Sequence, residues 1–221
     1  MPERLHSVKE SHVRRFGWIA LLKVVLWVLC LSPAGLLAWK ATHDELGANP
    51  LSEITLSTGH WTLYLLLITL AVSPLRKITG LNWLIRFRRP LGLFAFFYGC
   101  LHLMTYLWFD KFFDLHEIVK DVYKRPFITV GMSAWLLMLP LALTSTAGSI
   151  RRLGGKRWQT LHRLVYASAI AGVIHFWWLV KRDLTRPERM AAILVVLLGF
   201  RIVQRMLALR EQRPAAVIQR G

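Results

Sequence analysis

Six stretches of this 221-residue chain are long and apolar: 17–38, 56–75, 91–109, 126–146, 158–180 and 188–206. A bilayer's hydrocarbon core is about 30 Å thick and an α-helix rises about 1.5 Å per residue, so one crossing takes about 20 residues. A backbone inside hydrocarbon must satisfy its own N–H and C=O groups, and continuous apolar runs of this length do so as helices. The predicted fold is therefore all-α: a polytopic membrane protein with a six-transmembrane-helix bundle over 17–206, an N-terminal tail over 1–16 and a C-terminal tail over 207–221. Composition agrees, with 55% hydrophobic residues. The spans take up most of the chain and leave no room for a soluble flavin, nucleotide or molybdenum domain.

A formal charge of +17 invites a nucleic-acid reading, but the cations are distributed by membrane side. Arg4, Lys9, Arg14 and Arg15 precede the first span; Arg76, Lys77, Arg86, Arg88 and Arg89 separate the second and third. Arg151, Arg152, Lys156 and Arg157 separate the fourth and fifth, and Arg205, Arg210, Arg213 and Arg220 follow the sixth. The opposite side carries fewer: Lys40, Lys111, Lys120, Lys124, Arg125, Lys181, Arg182, Arg186 and Arg189, together with most of the carboxylates. The positive-inside rule then places both termini in the cytoplasm, which requires an even number of spans. The first span lacks a small-x-small cleavage site after it and reads as a retained anchor. Cys30 and Cys100 lie inside different spans without metal-ligand spacing and read as packing residues.

Prolines punctuate the pattern. Pro33 falls near the outer end of the first span, Pro74 closes the second, Pro90 opens the third and Pro126 opens the fourth, while Pro140 should kink the fourth from within. In the outer loop DKFFDLHEIVKDVYKR, Phe112, Leu115 and Val119 have the spacing of one apolar helix face, either lying on the membrane or docking a partner.

Within this apolar frame the informative residues are histidines. His102 lies in the third span, and His162 and His175 lie in the fifth. Ionisable side chains in a bilayer are costly and usually face a functional interior, and histidine is the common axial ligand of haem iron. Counting from span midpoints at about 1.5 Å per residue, His102 sits roughly 3 Å and His175 roughly 9 Å to the outer side, and His162 roughly 10 Å to the inner side. His102 and His175 are thus the best-matched pair for bis-histidine ligation of a haem b in the outer half of the bundle. His162 points about 140° away from His175 round an ideal helix. It stands as a ligand of a second haem, a propionate contact or a quinone contact. For any one of the three histidines the alternative is an interhelical hydrogen bond.

His6, His12, His43 and His116 fall in tails or loops and read as exposed. His60, at the outer end of the second span, is a weaker candidate for a haem-edge or quinone contact. Arg88, Arg89 and Arg163 serve either as topology determinants or as partners for a haem propionate or a quinone, since arginine pairs bidentately with carboxylates.

Three segments in order, RRPLGLFAFFYGCLHLMTY, RPFITVGMSAWLLMLPLALTST and GKRWQTLHRLVYASAIAGVIHFWW, resemble the ferric-reductase-like transmembrane superfamily. Within it they are most similar to the haem-binding membrane subunits of bacterial periplasmic methionine sulfoxide reductase systems, over about residues 15–205. The resemblance implies that His102, His162 and His175 are haem-associated and Arg88 is a functional arginine. It also implies electron flow from respiratory quinones to a soluble periplasmic molybdopterin-containing catalytic subunit of MsrP type, which repairs oxidised methionine in proteins. FMN enters as a cofactor by this resemblance only, and the number of haems stays open between one and two.

The residues by themselves contain no aqueous cysteine nucleophile and no molybdenum site, so the chain reads as an electron-transfer subunit whose partner performs the reduction. Two alternatives stand beside it. A stand-alone ferric reductase differs only in the terminal acceptor. A proton or ion transporter using the histidines as a relay is opposed by the scarcity of intramembrane carboxylates and by the lack of an inverted repeat.

Overall fold

Inside hydrocarbon the helical ladder is the only cheap way to pair a backbone, and a computed structural model of the chain is helical throughout its long elements. The structure describes residues 2–180 and 183–218, with side chains described for 17–180 and 183–210. The expectations for Arg4, His6, Lys9, His12, Arg14, Arg15, Lys181, Arg182, Arg213 and Arg220 therefore lie outside the described side chains. No strand occurs among the described residues. Nine α-helices follow in order among them: α1 (Pro2–Thr42), α2 (Pro50–Thr79), α3 (Ile85–Met104), α4 (Leu115–Lys124), α5 (Pro126–Leu143), α6 (Ala147–Leu153), α7 (Gly155–Leu161), α8 (Leu164–Leu179) and α9 (Thr185–Ile218). A 3-10 turn, Asn82–Leu84, precedes α3, and a π-helical segment, Thr105–Asp110, continues it.

Five described stretches are long and apolar enough to cross a membrane: Gly17–Thr42, Pro50–Thr79, Asn82–Asp110, Pro126–Leu143 and Thr185–Arg210. The sixth expected crossing, over 158–180, is divided instead. The helix breaks at His162 and Arg163 between α7 and α8, and the 16 residues of α8 reach only about 24 Å at 1.5 Å per residue. The expected fourth-to-fifth loop is helical too, with α6 and α7 hinged at Gly154, whose φ of 74° suits glycine.

The chain divides into two compact units, Met1–Ile54 and Thr55–Gly221. The first holds α1, the following loop and the start of α2, where Lys40 Nζ meets Glu53 Oε1 at 3.2 Å and Glu53 also accepts from the Gly47 N–H. Along α1, Leu21, Val24, Val28 and Leu29 are exposed, as lipid-facing residues would be.

In the second unit, α8 packs along α5 more extensively than any other pair of elements. Small residues allow this approach: Ala169 and Ser168 are fully buried, and the Ser168 hydroxyl donates to the Ala134 carbonyl at 2.9 Å.

Three prolines expected at helix ends lie inside helices, and for two of them the structure supplies the reason. A proline at position i cannot donate to the carbonyl of residue i−4. For Pro33 that carbonyl is Leu29's, which accepts from the Ser32 hydroxyl at 3.1 Å. For Pro74 it is Leu70's, which accepts from the Arg201 guanidinium of α9. Pro90 lies in the second turn of α3. Pro126 opens α5 as expected, at its first turn.

The expected amphipathic helix forms as α4, capped by Asp114, whose carboxylate accepts from the His116 and Glu117 N–H groups. Its apolar side faces outward, with Leu115 75% and Val119 67% exposed, while Asp121 is buried against the protein. Lys111 Nζ lies 2.7 Å from Asp121 Oδ2 and Arg125 Nε 3.5 Å from Oδ1, so an ion-paired strap holds α4 in place.

Candidate functional site

A cavity of about 340 Å³ opens among α2, α3, α5 and α8 in the second unit, within the roughly 300–1,000 Å³ range of small-molecule and cofactor sites. Its walls are largely apolar, with Leu63, Leu66, Met132, Met138 and Phe176 among them, and it is flanked by His102 and His175. The two imidazole centres are 6.0 Å apart at 72° between planes.

Each ring is held in the same way. His102 Nδ1 lies 3.0 Å from the Thr55 carbonyl oxygen on α2, and His175 Nδ1 lies 2.7 Å from the Phe127 carbonyl oxygen on α5. A carbonyl only accepts, so both Nδ1 atoms carry the proton and both rings keep the Nε2 lone pair. That is how metal-ligating histidines are usually oriented.

Two glycines make the approach possible. A Cβ at Gly131 would lie 2.6 Å from His175 Nδ1, and one at Gly59 would lie 3.1 Å from His102 Cε1 and Nδ1. Both rings therefore lie flush against neighbouring helix backbones, where any side chain would intrude.

The donor set suits a particular kind of metal. A metal–imidazole bond is about 2 Å, and a ring centre lies about 1 Å behind its nitrogen, so two imidazoles on opposite sides of one ion have centres about 6 Å apart. Among the described residues no three His, Cys, Asp or Glu side chains converge to hold a metal ion. Two imidazoles at this spacing without further protein ligands fit an iron whose remaining positions come from a macrocycle.

The other candidates divide by location. His60 lines the cavity, edge-on to Phe176 at 5.0 Å, with a buried Nε2 that has no hydrogen-bond partner. His162 does not line it. It sits between α7 and α8, stacked on Trp158 at 3.9 Å, with Nε2 3.2 Å from Thr144 Oγ1. That hydroxyl has its single proton on the Pro140 carbonyl at 2.6 Å, so His162 Nε2–H is the donor in this pair. Arg88 reaches Ser73 Oγ at 3.4 Å and lies within electrostatic range of His162 and Arg201; Arg89 and Arg163 are exposed. None of these three arginines lines the cavity. His116 is exposed on α4 and His43 in its loop, as expected.

Sequence reasoning missed several residues. Tyr106, Arg125 and Trp135 line the cavity, and Gly59 and Gly131 seat its histidines. Tyr106 was legible as the residue four beyond His102, hence on its face. Arg201 is half-buried in α9, under the Leu70 carbonyl and 5.2 Å from the Tyr166 ring centre. An arginine inside an apolar span was itself the signal.

Residues 58–173 match the family described as ferric reductase like transmembrane component. Three relatives bear the printed name protein-methionine-sulfoxide reductase heme-binding subunit MsrQ. The one from Herminiimonas arsenicoxydans is 56% identical over 186 residues, covering 83% of this chain and 85% of the relative. The one from Azospira oryzae is 57% identical over 189 residues, covering 85% and 81%. The one from Ralstonia nicotianae is 52% identical over 183 residues, covering 82% and 84%. No solved structure matches the chain. With an apolar helical bundle, a matched histidine pair and relatives this similar over four-fifths of its length, the chain belongs to the ferric-reductase-like transmembrane family, on its MsrQ branch.

Proposed function

We propose that this chain is the haem-binding membrane subunit of a methionine sulfoxide reductase system. It is a b-type cytochrome of the bacterial inner membrane, taking electrons from quinones and delivering them to a periplasmic molybdopterin-containing catalytic subunit of MsrP type. The observation that carries the reading is the His102–His175 pair, with ring centres 6.0 Å apart in the lining of a largely apolar cavity and both Nδ1 atoms held by backbone carbonyls. The printed names of the relatives support it.

Bound there, a haem supplies a one-electron carrier. The chain's own residues do the rest. The Thr55 and Phe127 carbonyls keep each imidazole in the Nδ1–H tautomer and raise its basicity at Nε2. Leu63, Leu66, Met138 and Phe176 keep water from the site. Thr144, beside His162, ends α5 about 25 Å from Phe127 at 1.5 Å per residue, so His162 and Arg88 belong to the other end of the bundle. We assign them to the quinone side. Both termini are cytoplasmic, and α8, continued by α7, makes the sixth crossing of the 17–206 domain.

Visible spectroscopy of the purified protein tests this reading. The wild type should give a bis-histidine b-type spectrum, reducible by quinol and reoxidised faster by the periplasmic subunit than by oxygen. His102→Ala and His175→Ala should each lose that spectrum while remaining inserted in the membrane. Full haem content in both variants would sink the proposal.

A further inference from the structure

Three of the side-chain polar atoms that are buried without a hydrogen-bond partner belong to residues lining the cavity: His60 Nε2, the Tyr106 hydroxyl and Trp135 Nε1. An unpaired buried donor costs about 1–3 kcal/mol, so each such atom calls for a partner. Trp135 lies ten residues into α5 from Arg125, about 15 Å deeper at 1.5 Å per residue. Tyr106 lies at the mouth. It follows His102 by four residues, about 6 Å further out along the helix. Arg125 lines the same mouth, two residues before Phe127, whose carbonyl holds His175. Tyr106, which continues the helix bearing His102, and Arg125, at the start of the helix whose Phe127 carbonyl holds His175, thus stand just outside the ring pair.

Among the described residues Arg125 is the one lysine or arginine that lines the cavity, and Arg186 lies within electrostatic range of His60. Asp121 is satisfied by Lys111 at 2.7 Å, and Asp110, which also lines the cavity, has Lys111 at 3.8 Å. Arg125 reaches Asp121 only through Nε at 3.5 Å, and its side chain remains 53% exposed. A guanidinium in this position presents its fork of N–H donors, the geometry that matches a carboxylate. The rest of the wall is largely apolar and offers no second lysine or arginine among the described residues, so an occupant with an acidic edge would turn that edge toward Arg125.

We propose that Arg125 and Tyr106 form a carboxylate-binding site at the outer mouth of the cavity, and that on the haem reading, on which this rests, they hold a haem propionate. The site orients the group so that its acidic edge faces the periplasmic side. Arg88, Arg89 and Arg163, the arginines that sequence reasoning favoured for this role, do not line the cavity.

The test compares two probes in detergent-solubilised apoprotein: haem b, and haem b dimethyl ester, whose carboxylates are blocked. Wild type should bind haem b roughly ten- to a hundredfold more tightly than the ester, the range for hydrogen bonds to a charged group. R125Q and Y106F should weaken haem b binding toward the ester's level, leave ester binding unchanged and keep a bis-histidine spectrum. R125K should recover part of the loss. Lys111 still pairs with Asp121 in R125Q, so α4 keeps its anchor. Unchanged haem b affinity in R125Q, or an equal loss for both probes, would overturn the proposal. H175A separates the two readings: it should lose both probes alike. If H175A instead keeps the wild-type spectrum, the ligation itself is wrong.

Discussion

Gly131→Ala puts the arrangement of the histidine pair under direct load. A methyl group there would meet His175 Nδ1 at 2.6 Å, where ordinary contact begins near 3.4 Å, so the ring must retreat by about 0.8 Å. Phe127 lies one turn earlier on the same helix, so this retreat stretches the 2.7 Å bond to its carbonyl beyond hydrogen-bonding range. Over-packing of this kind costs roughly 1–3 kcal/mol, and the lost hydrogen bond about 1 kcal/mol more. The alanine returns only about 1 kcal/mol of helix propensity. An axial bond of about 2 Å does not survive a displacement of that size. Purified G131A should therefore contain less haem than wild type, and what remains should lose the six-coordinate bis-histidine spectrum. Gly59→Ala makes the graded comparison: its methyl would meet His102 at 3.1 Å, a shortfall of only about 0.3 Å, and haem should be largely retained. Gly92→Ala is the control, with the Thr69 methyl at an ordinary 3.6 Å, and should be neutral or slightly stabilising. A wild-type spectrum and haem content in G131A, or a larger loss in G59A than in G131A, would refute the reasoning.

Arg201→Leu should destabilise the bundle by about 1–3 kcal/mol, because it orphans the Leu70 carbonyl that Pro74 already leaves without its helical donor. Pro74→Ala should recover much of that loss, and a double-mutant cycle in detergent unfolding that gives no coupling would disprove the link. The α4 strap should depend on pH at both extremes. Lys111 holds the Asp121 carboxyl below its ordinary value of 3.8, so its contribution is complete above that value and is lost as pH falls through the lowered one. Asp121 in turn raises Lys111 above 10.5, so that contribution is complete below 10.5 and is lost as pH rises through the raised value. Hydrogen-exchange protection over 111–125, taken relative to the intrinsic rate at each pH, should be high from about pH 4 to about pH 10 and fall outside that window; Asp121→Asn should lower it at pH 7. Reporter fusions at Arg152 or after Arg210 should report cytoplasm, and fusions near Asp44, Asp114 or Asp183 should report periplasm. A periplasmic C-terminus would remove α8 as the sixth crossing.

Membrane residence, the helical class and the identity of the histidine pair were legible in the chain itself, because each follows from one-dimensional quantities. Run length against bilayer thickness defines the spans, and counting residues from span midpoints matched His102 with His175 in depth. The amphipathic spacing of Leu115 and Val119 foretold α4 for the same reason. Helix ends were less legible. Pro74 reads as a terminator unless another helix supplies the donor it removes, and Arg201, more than 120 positions away, supplies it. The break at His162 between α7 and α8 was equally hidden, since apolar composition runs through it without change. Most of the site's finish belongs to tertiary structure alone. Gly59 and Gly131 look like ordinary helix glycines until the imidazoles of other helices lie against them. Arg125 reads as one more topology charge until α5 brings it to the cavity mouth beside Tyr106. Depth along a helix is additive in sequence and can be counted. Rotation about the helix axis and the choice of neighbour depend on packing between segments far apart in the chain, and only the folded bundle decides them.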